Sequence, residues 1–209
     1  AVGASSGGDI TSTLGVTKTG QTVVINLDNA VLASGTLVND LVLTGITNPG
    51  VTGTTGVFGI ETQNATNVKI DEATNLAGVA ITAGALTGSP GLAFANATAG
   101  GSGNITVTFQ TANQIPVGGD IEITFPGGAD GFVLGAVGAS SGGDITSTLG
   151  VTKSGQTVII NLDDAVLAGG TLVNDLVLTG ITNPPVTGTT GVFGIETQNA
   201  TNVKIDEAT

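Results

Sequence analysis

Residues 104–111 read NITVTFQT, an alternation in which Ile105, Val107 and Phe109 fall on one side and Thr106, Thr108 and Gln110 on the other. A period of two is the signature of a strand with one face in a core. Residues 120–125 (DIEITF) repeat the pattern with Ile121, Ile123 and Phe125, and Thr157–Leu162 does so with Val158, Ile160 and Leu162. Phe193 with Ile195, and Val203 with Ile205, continue it. Further strands are expected at Val79–Thr87, Leu149–Lys153 and Asp175–Thr182, seven or eight in the stretch 75–209 by the strand count of a sandwich. Turns are expected at Pro116 with Gly118–Gly119, Pro126–Gly127–Gly128, Ser154–Gly155, Gly169–Gly170 and Asn183–Pro184–Pro185. No helical stripe competes; Asp164–Leu167 (DAVL) is the sort of segment that forms a single helical turn. The fold class is all-β.

Composition agrees. The 209 residues include 35 Gly, and Phe is the sole aromatic type. His, Cys, Met, Trp and Tyr are absent, and the four basic residues are Lys18, Lys69, Lys153 and Lys204. Acid–base chemistry at neutral pH would rest on carboxylates alone. There is no Asp-Thr-Gly, Ser-His-Asp set or P-loop, and a sugar cleft would lack its usual aromatic walls. The expectation is therefore no enzyme. A net charge of −12 repels nucleic acid and anionic membrane, so neither is an expected partner. No apolar run is long enough to span a bilayer, and no signal peptide is visible in this window.

Compared with itself, the chain repeats. Residues 1–74 return at 136–209, an offset of about 135 residues, with five differences: Thr19/Ser154, Val24/Ile159, Asn29/Asp164, Ser34/Gly169 and Gly50/Pro185. The stretch Asn75–Gly135 occurs once. The division expected is a C-terminal part of one β-sandwich repeat at 1–74 and one complete repeat at 75–209. Alone, the first part would present unpaired strand edges and an uncovered apolar face, to be completed by an upstream repeat or a neighbouring subunit. The junction Ile70–Leu76 (IDEATNL) has no flexible linker composition, so consecutive units are expected to be closely coupled.

The run ITVTFQTANQIPVGGDIEITFP, the valine-rich hairpin around GQTVIINL, and LVLTGITNPPVTGTTGVFGIETQ together resemble large bacterial and algal cell-surface proteins built of tandem immunoglobulin-like β-sandwiches. The resemblance covers Asn75–Thr209 and rests on strand patterns and on turns such as Ile181–Pro184 and Gly188–Gly191. Such proteins include adhesin stalks, surface-layer proteins and extracellular filaments. The resemblance implies an extracellular or cell-surface location, a mechanical or adhesive role, self-association as homopolymer or consecutive repeats, and no catalytic residues. A filament, fibril or surface array is the leading expectation. An adhesin stalk that spaces a terminal binding domain is the alternative, and an ice- or crystal-binding surface a third, against which stands the lack of any short threonine period.

Two kinds of site remain. Four sequons, at Asn64, Asn96, Asn104 and Asn199, are candidate glycan acceptors, although Asn-x-Thr also arises by chance in a chain this rich in both residues. Acids gather in turns, and Asp71 and Glu72, with their repeat partners Asp206 and Glu207, are candidate calcium ligands, calcium taking six to eight oxygens. No D-x-D-x-D-G loop is present. The bland alternative is solvated turn carboxylates.

Overall fold

The computed structural model describes residues 1–128 and 130–208. All regular structure among them is strand, and no helix is long and apolar enough to cross a membrane. The chain divides into two compact units, Ala1–Asn48 and Pro49–Thr209.

The first unit holds β1 (Gly3–Ser5), β2 (Leu14–Thr19), β3 (Thr22–Leu27) and β4 (Val42–Thr44). They form two separate ribbons, β1 with β4 and β2 with β3. Polar turns hold their ends. Asp40 accepts from the Ser6 hydroxyl and the Asp9 amide, while Asn29 accepts from the Ser12 hydroxyl and the Thr13 amide.

The second unit begins with β5 (Gly53–Thr54), β6 (Phe58–Gln63), β7 (Lys69–Leu76), β8 (Ala80–Ile81) and β9 (Gly84–Ala85). It continues with β10 (Thr87–Phe94), β11 (Ile105–Gln110), β12 (Asp120–Thr124), β13 (Val133–Ser140) and β14 (Leu149–Ser154). It ends with β15 (Thr157–Leu162), β16 (Leu172–Thr182), β17 (Gly194–Gln198) and β18 (Lys204–Glu207). A four-stranded sheet runs β10-β11-β16-β13, and a six-stranded sheet runs β14-β15-β12-β17-β18-β9. Pairing is antiparallel except between β18 and β9. Two further ribbons join β5 to β8 and β6 to β7.

The two larger sheets share one core. Ile105, Val107 and Phe109 of β11 meet Ile121, Ile123 and Phe125 of the β12 segment and Val158, Ile160 and Leu162 of β15, each no more than 1% exposed. All nine are side chains that the period-two pattern turns inward; of the four others, Ile195 and Ile205 are buried and Phe193 and Val203 half-buried. Burying each contributes about 1.5–3 kcal/mol, which makes the alternation decisive for which face turns inward. At one end Phe94, Phe125, Phe132 and Phe193 pack with ring centroids 5.3–5.8 Å apart.

Some local expectations differ from the structure. Val79–Thr87 is not one strand but β8, β9 and the start of β10, because its pieces find separate partners in β5, β18 and β11. Residues 75–209 accordingly carry eleven strands rather than seven or eight, two of them only two residues long. Asp164–Leu167 is not a helical turn. Leu167 instead bridges Ile115 and is buried, so tertiary burial outweighs a local turn. Gly180 lies opposite a bulge at 135–137 with φ 76°, and a Cβ there would sit 2.0 Å from the Ala136 carbonyl oxygen.

Candidate interaction surface

The repeated sequence makes the same local structure twice. Gly3–Ser5 pairs with Val42–Thr44 in the register by which Gly138–Ser140 pairs with Val177–Thr179. Likewise β2–β3 matches β14–β15 residue for residue, and β6–β7 matches β17–β18 from Glu61 and Glu196 onward. The turn networks are copied too: Asp175 accepts from Ser141 and Asp144, and Asp164 from Ser147 and Thr148, as Asp40 and Asn29 do in the first unit. None of the five substituted positions is buried in the second copy.

Burial is not copied. Leu162 is 0% exposed, but Leu27, its partner in the repeat, is 37% exposed. Leu178 and Ile181 are buried, whereas Leu43 and Ile46 lie open. Ile195 and Ile205 are likewise buried, whereas Ile60 and Ile70 are 65% and 63% exposed. Phe193 sits among three other rings, and Phe58 is 48% exposed. Among the described residues of 1–48 no apolar side chain is buried, and the buried residue is Ser12.

Strand pairing explains the contrast. In the second copy β15 lies between β14 and β12, and β16 lies between β13 and β11. β3 pairs with β2 alone, and β4 with β1 alone. The missing neighbours all belong to the stretch 75–135. Without one, the counterpart of the eleven-residue β16 shrinks to the three residues of β4. Open edges beside apolar side chains are surfaces that bind other chains.

The candidate calcium ligands have protein partners. Asp206 is fully buried; its carboxylate accepts the Ala112 and Asn113 amides at 3.0 and 2.9 Å and the Asn113 side-chain amide at 2.7 Å. It ties the loop after β11 to β18. Asp71 is exposed and accepts the Thr62 hydroxyl at 3.3 Å. Glu72 and Glu207 are ion-paired to Lys69 and Lys204. The four carboxylates are therefore not gathered into one cage, and among the described residues no group of three or more acids is placed to hold a metal.

Across β12, β17 and β18 the acids form a ladder, Glu122 opposite Glu196 and Glu196 opposite Glu207. Burial, then the charges of Glu196 and Asp120, raises the Glu122 carboxyl above its ordinary value. Burial also works on Glu196, but hydrogen bonds from Lys204 and Gln198 outweigh it and lower that group. Glu207 and Glu196 together push the Lys204 ammonium up to about 12.

The sequons fall on turns and strand ends. Asn64 and Asn199 occupy the same turn, each side-chain oxygen accepting from the Thr amide and hydroxyl two residues on and from the Val amide four residues on. Their side-chain nitrogens, the atoms a glycan would take, make no hydrogen bond among the described residues. Asn96 differs, its nitrogen donating to the Ser102 carbonyl. Asn104 is exposed directly before β11.

Sequence reasoning passed over one contact region. The VTGTT run at 51–55 holds the chain that follows the first copy: Gly53 and Thr54 pair with Ile81 and Ala80, and the Thr55 amide donates to the Val79 carbonyl at 2.9 Å. The Thr52 amide also donates to the Lys204 carbonyl at 2.9 Å. The identical run at 186–190 is exposed throughout. Its exact duplication was the available signal. Comparison with protein families, with curated proteins and with solved structures finds no match.

Proposed function

We propose that the chain is a structural component of an extracellular or cell-surface filament, fibril or array assembled from repeated β-sandwich units of the immunoglobulin-like type. One observation carries this reading: one sequence, present twice, has its apolar strands covered in one place and open in the other. A surface kept apolar and edge-open across a near-perfect repeat suits contact with further protein better than contact with water. The four- and six-stranded sheets on a common core support the sandwich. The hydrogen-bonded run at 51–55, which ties the first copy to β8 and to the Lys204 carbonyl, supports an ordered coupling between repeats in place of a loose linker. The sequon turns at Asn64, exposed, and Asn199, half-buried, suit glycan decoration outside the cell.

The same coupling also favours a second reading, an adhesin stalk in which units join end to end and keep their sides free. Electron micrographs of the purified protein separate the two. Ordered polymers with lateral contacts between units support the filament, and isolated rods at all concentrations support the stalk.

A further inference from the structure

Residues 1–48 contain two open strand edges whose occupants are displayed elsewhere in the same chain. The partner of β3 by repeat is β15, which pairs with β12: Ile121 with Ile160, Glu122 with Ile159 and Ile123 with Val158. The partner of β4 is the middle of β16, which pairs with β11: Ile105 with Leu178, Thr106 with Val177 and Val107 with Leu176. β11 and β12 follow one another in the chain, so a single segment, Asn104–Phe125, serves both edges. By the repeat offset, β3 and β4 offer that segment the same backbone groups and nearly the same side chains, Val24 in place of Ile159 being the one change within them.

We infer that the first unit is an acceptor for a strand pair with the sequence pattern of residues 104–125, donated by a further repeat of the same protein. Resting on the structural reading proposed above, this names the partner. Backbone pairing gives such strand addition its affinity, and alternate side-chain pockets give it its register. Leu27, Leu41 and Leu43, 37–43% exposed, are the side chains whose repeat partners β11 and β12 help to cover. Asn26 matches a polar contact by position: its repeat partner Asn161 donates to the Asp120 carboxylate at 3.0 Å and to the Gly118 carbonyl at 3.2 Å. Charge does not drive the recognition, since the donor carries Asp120 and Glu122 without a lysine, and 1–48 carries Asp9, Asp28 and Asp40 against Lys18.

An intact second copy of the chain does not fit the role. Residues 1–209 hold one such donor and two acceptors, and the donor is engaged by β15, β16 and β17. Taking it from one acceptor uncovers another. The occupant must bring a strand pair with no acceptor of its own already filled.

The test adds a synthetic peptide of residues 104–125 to the full 209-residue chain, read by titration calorimetry and by site-resolved amide exchange. One equivalent should bind, and exchange should slow by roughly tenfold or more over Thr22–Leu27 and Val42–Thr44, with Thr157–Leu162 unchanged. The same peptide carrying Ile121→Asp and Ile123→Asp should not bind. Absence of binding, protection confined to residues beyond 48, or equal binding by the doubly substituted peptide overturns the inference. So does a chain that dimerises alone with Thr22–Leu27 already protected, which would make an intact copy the occupant. The two proposals fail separately. Ordered polymers without peptide uptake discard the acceptor and leave the filament, whereas peptide uptake by a chain that never polymerises does the reverse.

Discussion

Thr22–Leu27 and Thr157–Leu162 differ by one methylene, at Val24 and Ile159, yet the first is an open two-stranded ribbon and the second is interior to a six-stranded sheet. Both hairpins have the same register and the same polar turns, so local sequence is sufficient for that much. What separates them is the presence of β12 beside one and not the other. Hairpin geometry here is local, and burial is borrowed from a distant segment.

Matched substitutions in the two copies should break that symmetry most visibly where packing differs most. Leu162→Ala removes a fully buried side chain and should lower unfolding free energy by about 2–5 kcal/mol, whereas Leu27→Ala should cost less than about 1 kcal/mol. With no Trp or Tyr in the chain, calorimetry or far-ultraviolet circular dichroism is the suitable readout. Equal costs would mean that the two copies are packed alike.

Asp206 and Asp71 sharpen the same comparison on polar ground. Asp206→Ala leaves three donors at one buried point without their acceptor and should cost about 1.5–3 kcal/mol, while Asp71→Ala should fall within about 0.5 kcal/mol. A calcium-dependent shift at Asp206 would support the metal reading, and an unchanged result in chelator would count against it.

Smaller effects are expected along the acid ladder. Glu122→Gln removes a like charge opposite Glu196 and should stabilise the second unit by about 0.2–1 kcal/mol at neutral pH. Destabilisation would mean that the Glu122 carboxylate has a partner worth more than its repulsions.

At high pH, Lys204 sets the direction. Its folded-state pKa, raised to about 12 from an ordinary 10.5, makes its contribution complete below the ordinary value and lost as pH climbs through the raised one. The melting temperature should therefore fall between those two values in part through this group, and Lys204→Gln should flatten that part of the fall. An unchanged profile in the variant would remove Lys204 from the account.

Much of the fold was legible because it is periodic. Ile105, Val107 and Phe109 could be assigned to a core from alternation alone, and Ser154–Gly155 could be assigned to a hairpin turn from its chemistry. The hydrogen-bond partners of Asp206 could not be read, because in sequence it is one of two adjacent acids and its donors lie 93 and 94 residues away. The same holds for Leu167, whose burial depends on Ile115, and for the run at 51–55, whose partners lie in β8 and at Lys204. Alternation states which side of a strand is apolar. Whether anything covers that side is decided by residues elsewhere.

Amide exchange on the unmodified chain tests this most directly, since peptides from residues 20–27 (GQTVVINL) and 155–162 (GQTVIINL) differ in mass and can be followed separately. The structure predicts that the second is protected far beyond the first. Equal protection of the two would contradict it.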